Sequence, residues 1–207
     1  MKIAVYSGSF NPLHIGHLAI IRHMIEEAGF DCVYLIVSPK NPLKEGISSD
    51  SGRDRYNAAI AAVNRHFPSL ETSSMAEVLD VSSVTEDMPP CKVKVDDIEL
   101  NMPEPHYTIR TLDALCEREP HNTFTLVMGA DNLADIRRWR DYRRILAEYG
   151  TAVFPRRGFD LDKIKQDLLS EDPAYMIQIL DAEMVDISST RIRDAIASGQ
   201  DISGCLM

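Results

Sequence analysis

KIAVYSGSFNPLHIGH, Lys2 to His17, holds a strand, a turn and the mouth of a helix. The apolar run Lys2 to Tyr6 predicts a buried β-strand. The apolar periodicity of Leu18 to Ile25 predicts a helix over about Gly16 to Ala28, closed by Gly29. Between them lies a glycine-containing turn, Gly8 to His17. In α/β proteins a turn in this place holds phosphate, because unpaired backbone N–H groups and the helix dipole both favour an anion. His14 and His17 add two imidazoles three residues apart, where both can face one bound group. Donors fixed where charge develops accelerate transfer, so the pattern points past phosphate binding to phosphate chemistry. Two readings compete. One histidine caps the helix while the other is solvated, or the pair binds zinc, for which no third ligand lies nearby.

Working outward, strand and helix patterns alternate. Cys32 to Val37 is a continuous apolar run of the kind buried on both faces of a parallel sheet. A helix fits Arg53 to Phe67, with Ala58, Ala62 and Val63 on one face. Strand signal returns at Val93 to Leu100, a helix at Thr108 to Glu119 and a strand at Thr123 to Met128. Helical pattern then runs from Asp131 to Glu148, followed by a strand at Thr151 to Phe154 and a helix at Asp160 to Leu169. Met176 to Leu180 completes the strands, and Thr190 to Ser198 is a final helix. This alternation predicts an α/β fold, a doubly wound and mostly parallel sheet in a single domain. Ligands in such folds sit beyond the carboxyl ends of the strands. Gly8, Ser38, Gly129 and, after Met184-Val185-Asp186, Ile187 all begin where a strand ends, which implies one site.

The 207 residues suffice for one domain with a sizeable core, and a net charge of -10 argues against a general nucleic-acid or membrane-surface partner. No run approaches the length of a membrane span or a signal peptide. The four cysteines are scattered without a Cys-x-x-Cys pair, which reads as reduced thiols in a cytoplasmic protein. Residues 69–92 are rich in Ser, Thr, Glu and Asp and end near Pro89-Pro90. They are expected to form an inserted flap or loop, with an intersubunit role in a homo-oligomer open.

Neither a dinucleotide fingerprint nor a Walker A loop is present, so phosphate handling must rest on other residues. In SPKNPLK (Ser38 to Lys44), prolines stiffen a loop from which Lys44 can reach a phosphate as a point charge. In ISSTRIR (Ile187 to Arg193), Ser188, Ser189 or Thr190 caps a helix and Arg193 falls one turn in, a pyrophosphate clamp or an ordinary cap.

GSFNPLHIGH with the distant ISSTRIR resembles the signature pair of the HIGH-type nucleotidyltransferases. PHYTIRTL (Pro105 to Leu112), MGADNL (Met128 to Leu133) and the following Trp139 look like the bacterial nicotinate-nucleotide adenylyltransferases in particular. The likeness runs from the first strand to about Gln200, apart from the insertion. It implies a Rossmann-like nucleotidyltransferase fold, with a helical subregion at about residues 187–200. It also implies transfer of the adenylyl group of ATP to nicotinate mononucleotide, giving deamido-NAD and pyrophosphate in NAD biosynthesis, with no covalent intermediate. By the same resemblance His14, His17, Lys44 and Arg193 are catalytic. Gly8, Ser9, Phe10, Gly129, Asp131, Ile187, Ser189 and Thr190 join His14, His17 and Arg193 around ATP. Ser9, Phe10, Lys44, Tyr107, Thr108 and Trp139 take the mononucleotide, with Trp139 stacked on the pyridine ring. Mg2+ is expected to travel with the ATP phosphates, held mostly by phosphate and water.

Rival readings stay open at this level. Nicotinamide mononucleotide is an alternative substrate, and phosphopantetheine and glycerol-phosphate nucleotidyltransferases share the HIGH turn. A class I aminoacyl-tRNA synthetase would be much longer and carry a KMSKS-type loop. A non-catalytic nucleotide sensor should have lost part of the His14, His17, Lys44 and Arg193 set. The helix beginning at Tyr107 and Thr108 would favour a carboxylate over an amide through its N-terminal field. Arg137, Arg138, Arg140, Arg143 and Arg144 read either as a rim steering anionic substrates or as a solvated face paired with nearby acids.

Overall fold

A computed structural model describes residues 1–39, 51–67, 92–182, 192, 195, 198 and 202–207. Lys44, Ile187, Ser188, Ser189, Thr190 and Arg193 lie outside the described residues, as does the expected insertion apart from Lys92.

Six strands form one all-parallel sheet. They are β1 (Lys2–Gly8), β2 (Cys32–Val37), β3 (Val93–Asp96), β4 (Thr123–Gly129), β5 (Thr151–Phe154) and β6 (Ile177–Ile179), in the order β3-β2-β1-β4-β5-β6. The longer connecting helices are α1 (Ile15–Glu26), α2 (Gly52–His66), α4 (Thr108–Arg118) and α7 (Leu161–Glu171), with short helices α3 (Ile98–Asn101), α5 (Ala130–Ala134) and α6 (Tyr142–Arg144) among them. The chain winds from β1 outward to β3, then returns to the other side of β1 with β4. That reversal opens a crevice at the carboxyl ends of β1 and β4. Register brings the strand ends level: Gly8 faces Val37, and Gly129 faces Phe154.

Alternation along each strand supplies both faces. Ile3, Val5, Tyr34, Ile36, Phe124, Leu126 and Val153 form one core with Ile109, Leu112 and Leu115 of α4 and Leu168 of α7. Ala4, Val33, Leu35, Val37, Val127 and Ala152 form the other with Ile21 and Met24 of α1 and Ala59, Ala62 and Val63 of α2. Every residue of β2 is buried, as a central parallel strand requires. Among the described residues no helix is long and apolar enough to cross a membrane.

Three local expectations need correction. The strand expected from Val93 to Leu100 stops at Asp96, because the Asp96 carboxylate accepts the Ile98 N–H at 3.0 Å and turns the chain into α3. The helix expected from Asp131 to Glu148 is broken into four pieces: α5, a 3-10 turn at Ile136–Arg138, α6 and a π turn at Ile145–Tyr149. Between them Trp139 is extended and Asp141 is left-handed (φ 52). On α2 the buried face carries Ala59, not Ala58, and also Arg55.

Candidate active site

The turn after β1 is built by packing. Phe10 takes a left-handed backbone (φ 43), costly for a bulky residue. Its ring is buried and meets Tyr6 and His17 edge-on, with centroids 5.5 Å and 5.3 Å away, which holds the conformation. A Cβ on Gly8 would stand 3.2 Å from that ring, so the close approach favours glycine.

His14 is the N-cap of α1, and its ring lies against that of His17 with centroids 3.7 Å apart. The His14 backbone N–H donates to Nδ1 of His17 at 3.2 Å. The neutral His17 ring therefore carries its proton on Nε2. The His17 N–H is spent on the His14 carbonyl at 2.8 Å. Nδ1 of His14, buried, is left with no hydrogen bond among the described residues. Burial lowers the His14 pKa to about 4, and the Arg156 guanidinium pushes the same way. Burial, then His14, then Arg156 hold His17 well below the ordinary imidazole range. Both rings are neutral at pH 7, each able to donate one N–H.

Two basic residues that sequence reasoning missed organise this edge. Arg55, buried on α2, donates to the carbonyls of Ser9 (2.6 Å), Ser38 (2.8 Å) and Pro39 (2.7 Å). It staples the loop after β1 to the loop after β2. Arg156 follows β5, pairs with Asp131 at 2.9 Å and lies over the Phe154 ring. Gly129 leaves room for that pair, because a Cβ there would collide with both the Asp131 carboxylate and Arg156. The FPRRG stretch, Phe154 to Gly158, carries a signal for Arg156: a basic pair directly after a strand end. Arg55 has no local signal, since its recorded partners are distant main-chain carbonyls.

Beside the turn lies a cavity of about 270 Å³. It brings together Gly8, Ser9, Tyr107, Thr108 and Trp139, all expected at the site, with Ser7, Ser38, Glu99, Asn132, Arg138 and Arg140. Its floor is Leu126, Val127 and Met128 of β4. His14, His17, Phe10, Gly129 and Asp131 stand outside this lining, so the site has a cavity on one side and a turn on the other. Tyr107 is the N-cap of α4 and Thr108 its first residue.

The arginine cluster divides. Arg137 pairs with Glu171, Arg144 with Asp113 and Glu148, and Arg143 lies over the Tyr142 ring. Arg138 and Arg140 alone of the five line the cavity; each also meets an acid, Asp135 at 4.0 Å and Asp141 at 3.2 Å.

Comparison with known proteins follows the same lines. A family model described as cytidylyltransferase-like matches residues 5–195. A Flavobacterium johnsoniae protein named probable nicotinate-nucleotide adenylyltransferase is 35% identical over all of this chain and 92% of its own length. A Bacteroides fragilis protein of the same name is 35% identical over 97% of this chain and 85% of its own. Among solved structures, the Plasmodium falciparum nicotinic acid mononucleotide adenylyltransferase complexed with NaAD superposes with a TM-score of 0.68 at 19% identity, over 97% of this chain and 86% of that one. That likeness is one of fold.

Proposed function

From a chain that belongs to the cytidylyltransferase-like family and has nicotinate-nucleotide adenylyltransferase activity in NAD biosynthesis, we propose a division of labour between the turn and the cavity. The turn takes ATP. His17, through Nε2–H, and His14 donate to the α-phosphate and the bridging oxygen as charge builds there. Gly8, Ser9 and Phe10 contribute backbone around the same phosphates. Asp131, in partnership with Arg156, accepts from the adenosine ribose beside Gly129.

The cavity takes nicotinate mononucleotide. Trp139 stacks on the ring, and the N-terminus of α4 at Tyr107 and Thr108 faces the carboxylate, which gains from the helix field while an amide does not. The mononucleotide phosphate then attacks the ATP α-phosphorus. An O–P bond forms to it, the bond from the α-phosphorus to the bridging oxygen breaks, and pyrophosphate leaves. The protein contributes positioning and fixed donors, and no residue is adenylylated. Neutral imidazoles suit this task, because they donate without first needing a proton. Lys44, Ile187, Ser189, Thr190 and Arg193 are assigned to the phosphate chain and leaving group on sequence grounds.

Mg2+ fits as a companion of ATP. Among the described residues no group of three His, Cys, Asp or Glu forms a cage, and Mg2+ characteristically uses substrate phosphates and water. Bound there, it would neutralise charge on the phosphate chain.

The observation that carries this reading is the close pair of neutral imidazoles, His14 and His17, in the turn beside a cavity holding Trp139. The test is pyrophosphate release from ATP with nicotinate mononucleotide, nicotinamide mononucleotide and phosphopantetheine in parallel. Turnover with the acid well above the amide, and none with phosphopantetheine, is expected. Comparable kcat/KM for acid and amide would overturn the role given to the α4 N-terminus.

A further inference from the structure

Glu99 is 4% exposed and lines the cavity. Its Oε1 accepts from Thr111 Oγ1 at 2.9 Å and from Ser7 Oγ at 3.4 Å. Ser38 Oγ, 3.0 Å from Ser7 Oγ, completes a hydroxyl relay in which Ser38 donates to Ser7 and Ser7 to Glu99. Oε2 receives no hydrogen bond, and the carboxylate no ion pair, from the described residues. Among the described residues the cations lining this cavity, Arg138 and Arg140, are 75% and 67% exposed and sit beside Asp135 and Asp141. Elsewhere in the chain a buried carboxylate is answered: Asp96, 3% exposed, holds the Arg118 guanidinium at 2.6 Å.

A buried carboxylate held only by hydroxyls is expensive, so its missing partner should be cationic. A pyridine bonded through nitrogen to ribose carries a positive charge on the ring. Trp139, in the same cavity, offers the π face such a ring prefers. We propose that Glu99 is the counter-charge for the cationic pyridine ring, selecting N-ribosylated pyridinium phosphates over neutral isosteres. A ribose hydroxyl could satisfy Oε2 as a donor, but it would leave the charge unanswered. This inference rests on the substrate reading above.

The test compares nicotinate mononucleotide with its neutral carbon isostere, 3-carboxyphenyl C-riboside 5′-phosphate, in which the ring nitrogen is replaced by carbon. The wild-type chain should favour the cationic substrate by about tenfold or more in kcat/KM. Glu99→Gln, whose carbonyl still accepts from Thr111 and Ser7, should erase that preference by weakening the cationic substrate alone, with KM for ATP unchanged. Equal loss on both substrates, as a ribose contact or a structural role would give, overturns the proposal, and so does no loss on either. If Glu99→Gln does not fold, Thr111→Val keeps the carboxylate but removes one of its two donors, and the preference for the cationic substrate should grow. An unchanged preference in that folded variant would overturn the proposal equally. Failure of the wild-type chain to adenylylate nicotinate mononucleotide at all would instead strike the substrate reading.

Discussion

The turn from Gly8 to His17 and the connection from Gly129 to Gly150 flank the same crevice and are built on opposite principles. In the first, charge is removed: two imidazoles are buried and neutral, a strained Phe10 is clamped between rings, and the stapling guanidinium grips backbone. In the second, charge is kept: a broken helix exposes arginines, and most of them are answered by acids. The first region has one geometry to offer and suits a reaction step. The second presents Trp139 on an extended backbone and, on the function proposed above, serves recognition.

The contrast breaks most visibly in acid. His14 titrates near 4 in the folded protein and near 6.5 when unfolded. Between those values the unfolded chain binds the extra proton, so stability falls as pH drops from about 6.5 through about 4, by up to about 3 kcal/mol from this group. Denaturant unfolding at pH 7 and pH 4.5 should show a smaller loss for His14→Gln than for wild type. Equal losses would mean the turn is not ionically silent. Next in size, His17→Ala should lower kcat by about 10²-fold or more with a smaller change in KM for ATP, because the donor matters most in the transition state. Near-normal turnover in the folded variant would remove His17 from the mechanism.

On the recognition side the effects should be smaller and fall on binding. Trp139→Ala is expected to raise KM for the mononucleotide about tenfold, leaving KM for ATP unmoved. A matching rise for both substrates would place Trp139 in the scaffold instead. The arginines sharpen the division further. Arg138→Glu should lower kcat/KM about threefold at low salt and flatten its salt dependence. Arg137→Glu, which loses its partner Glu171, should lower Tm while leaving the salt slope alone. If both variants shift the slope alike, the whole cluster steers.

The sheet was legible because its signals are local. Cys32 to Val37 reads as a buried strand from six consecutive residues, and Gly8 and Gly129 mark strand ends whatever lies around them. The errors arose where a side chain or a tertiary contact overruled pattern. VKVDDIEL alternates like a strand, but Asp96 bonds forward to Ile98 and turns it. ADNLADIRRWRDYRRILAEY has helix formers throughout, yet Asp113 on α4 binds both Arg144 and Tyr149, fixing the far end while Trp139 and Asp141 leave helical geometry. Within the site, motif residues such as His14, His17 and Trp139 were readable. Glu99 and Arg55 were not, since each acquires meaning only from partners brought near by the fold.

The Arg55 staple bears on how this site can change over time. Its recorded bonds run to the carbonyls of Ser9, Ser38 and Pro39, which every amino acid supplies. Side chains on both loops can therefore be exchanged without releasing the grip. Specificity can drift residue by residue while the spacing between the loops is inherited intact, which makes this edge of the sheet a natural place to graft new acceptor preferences onto an unchanged transfer reaction.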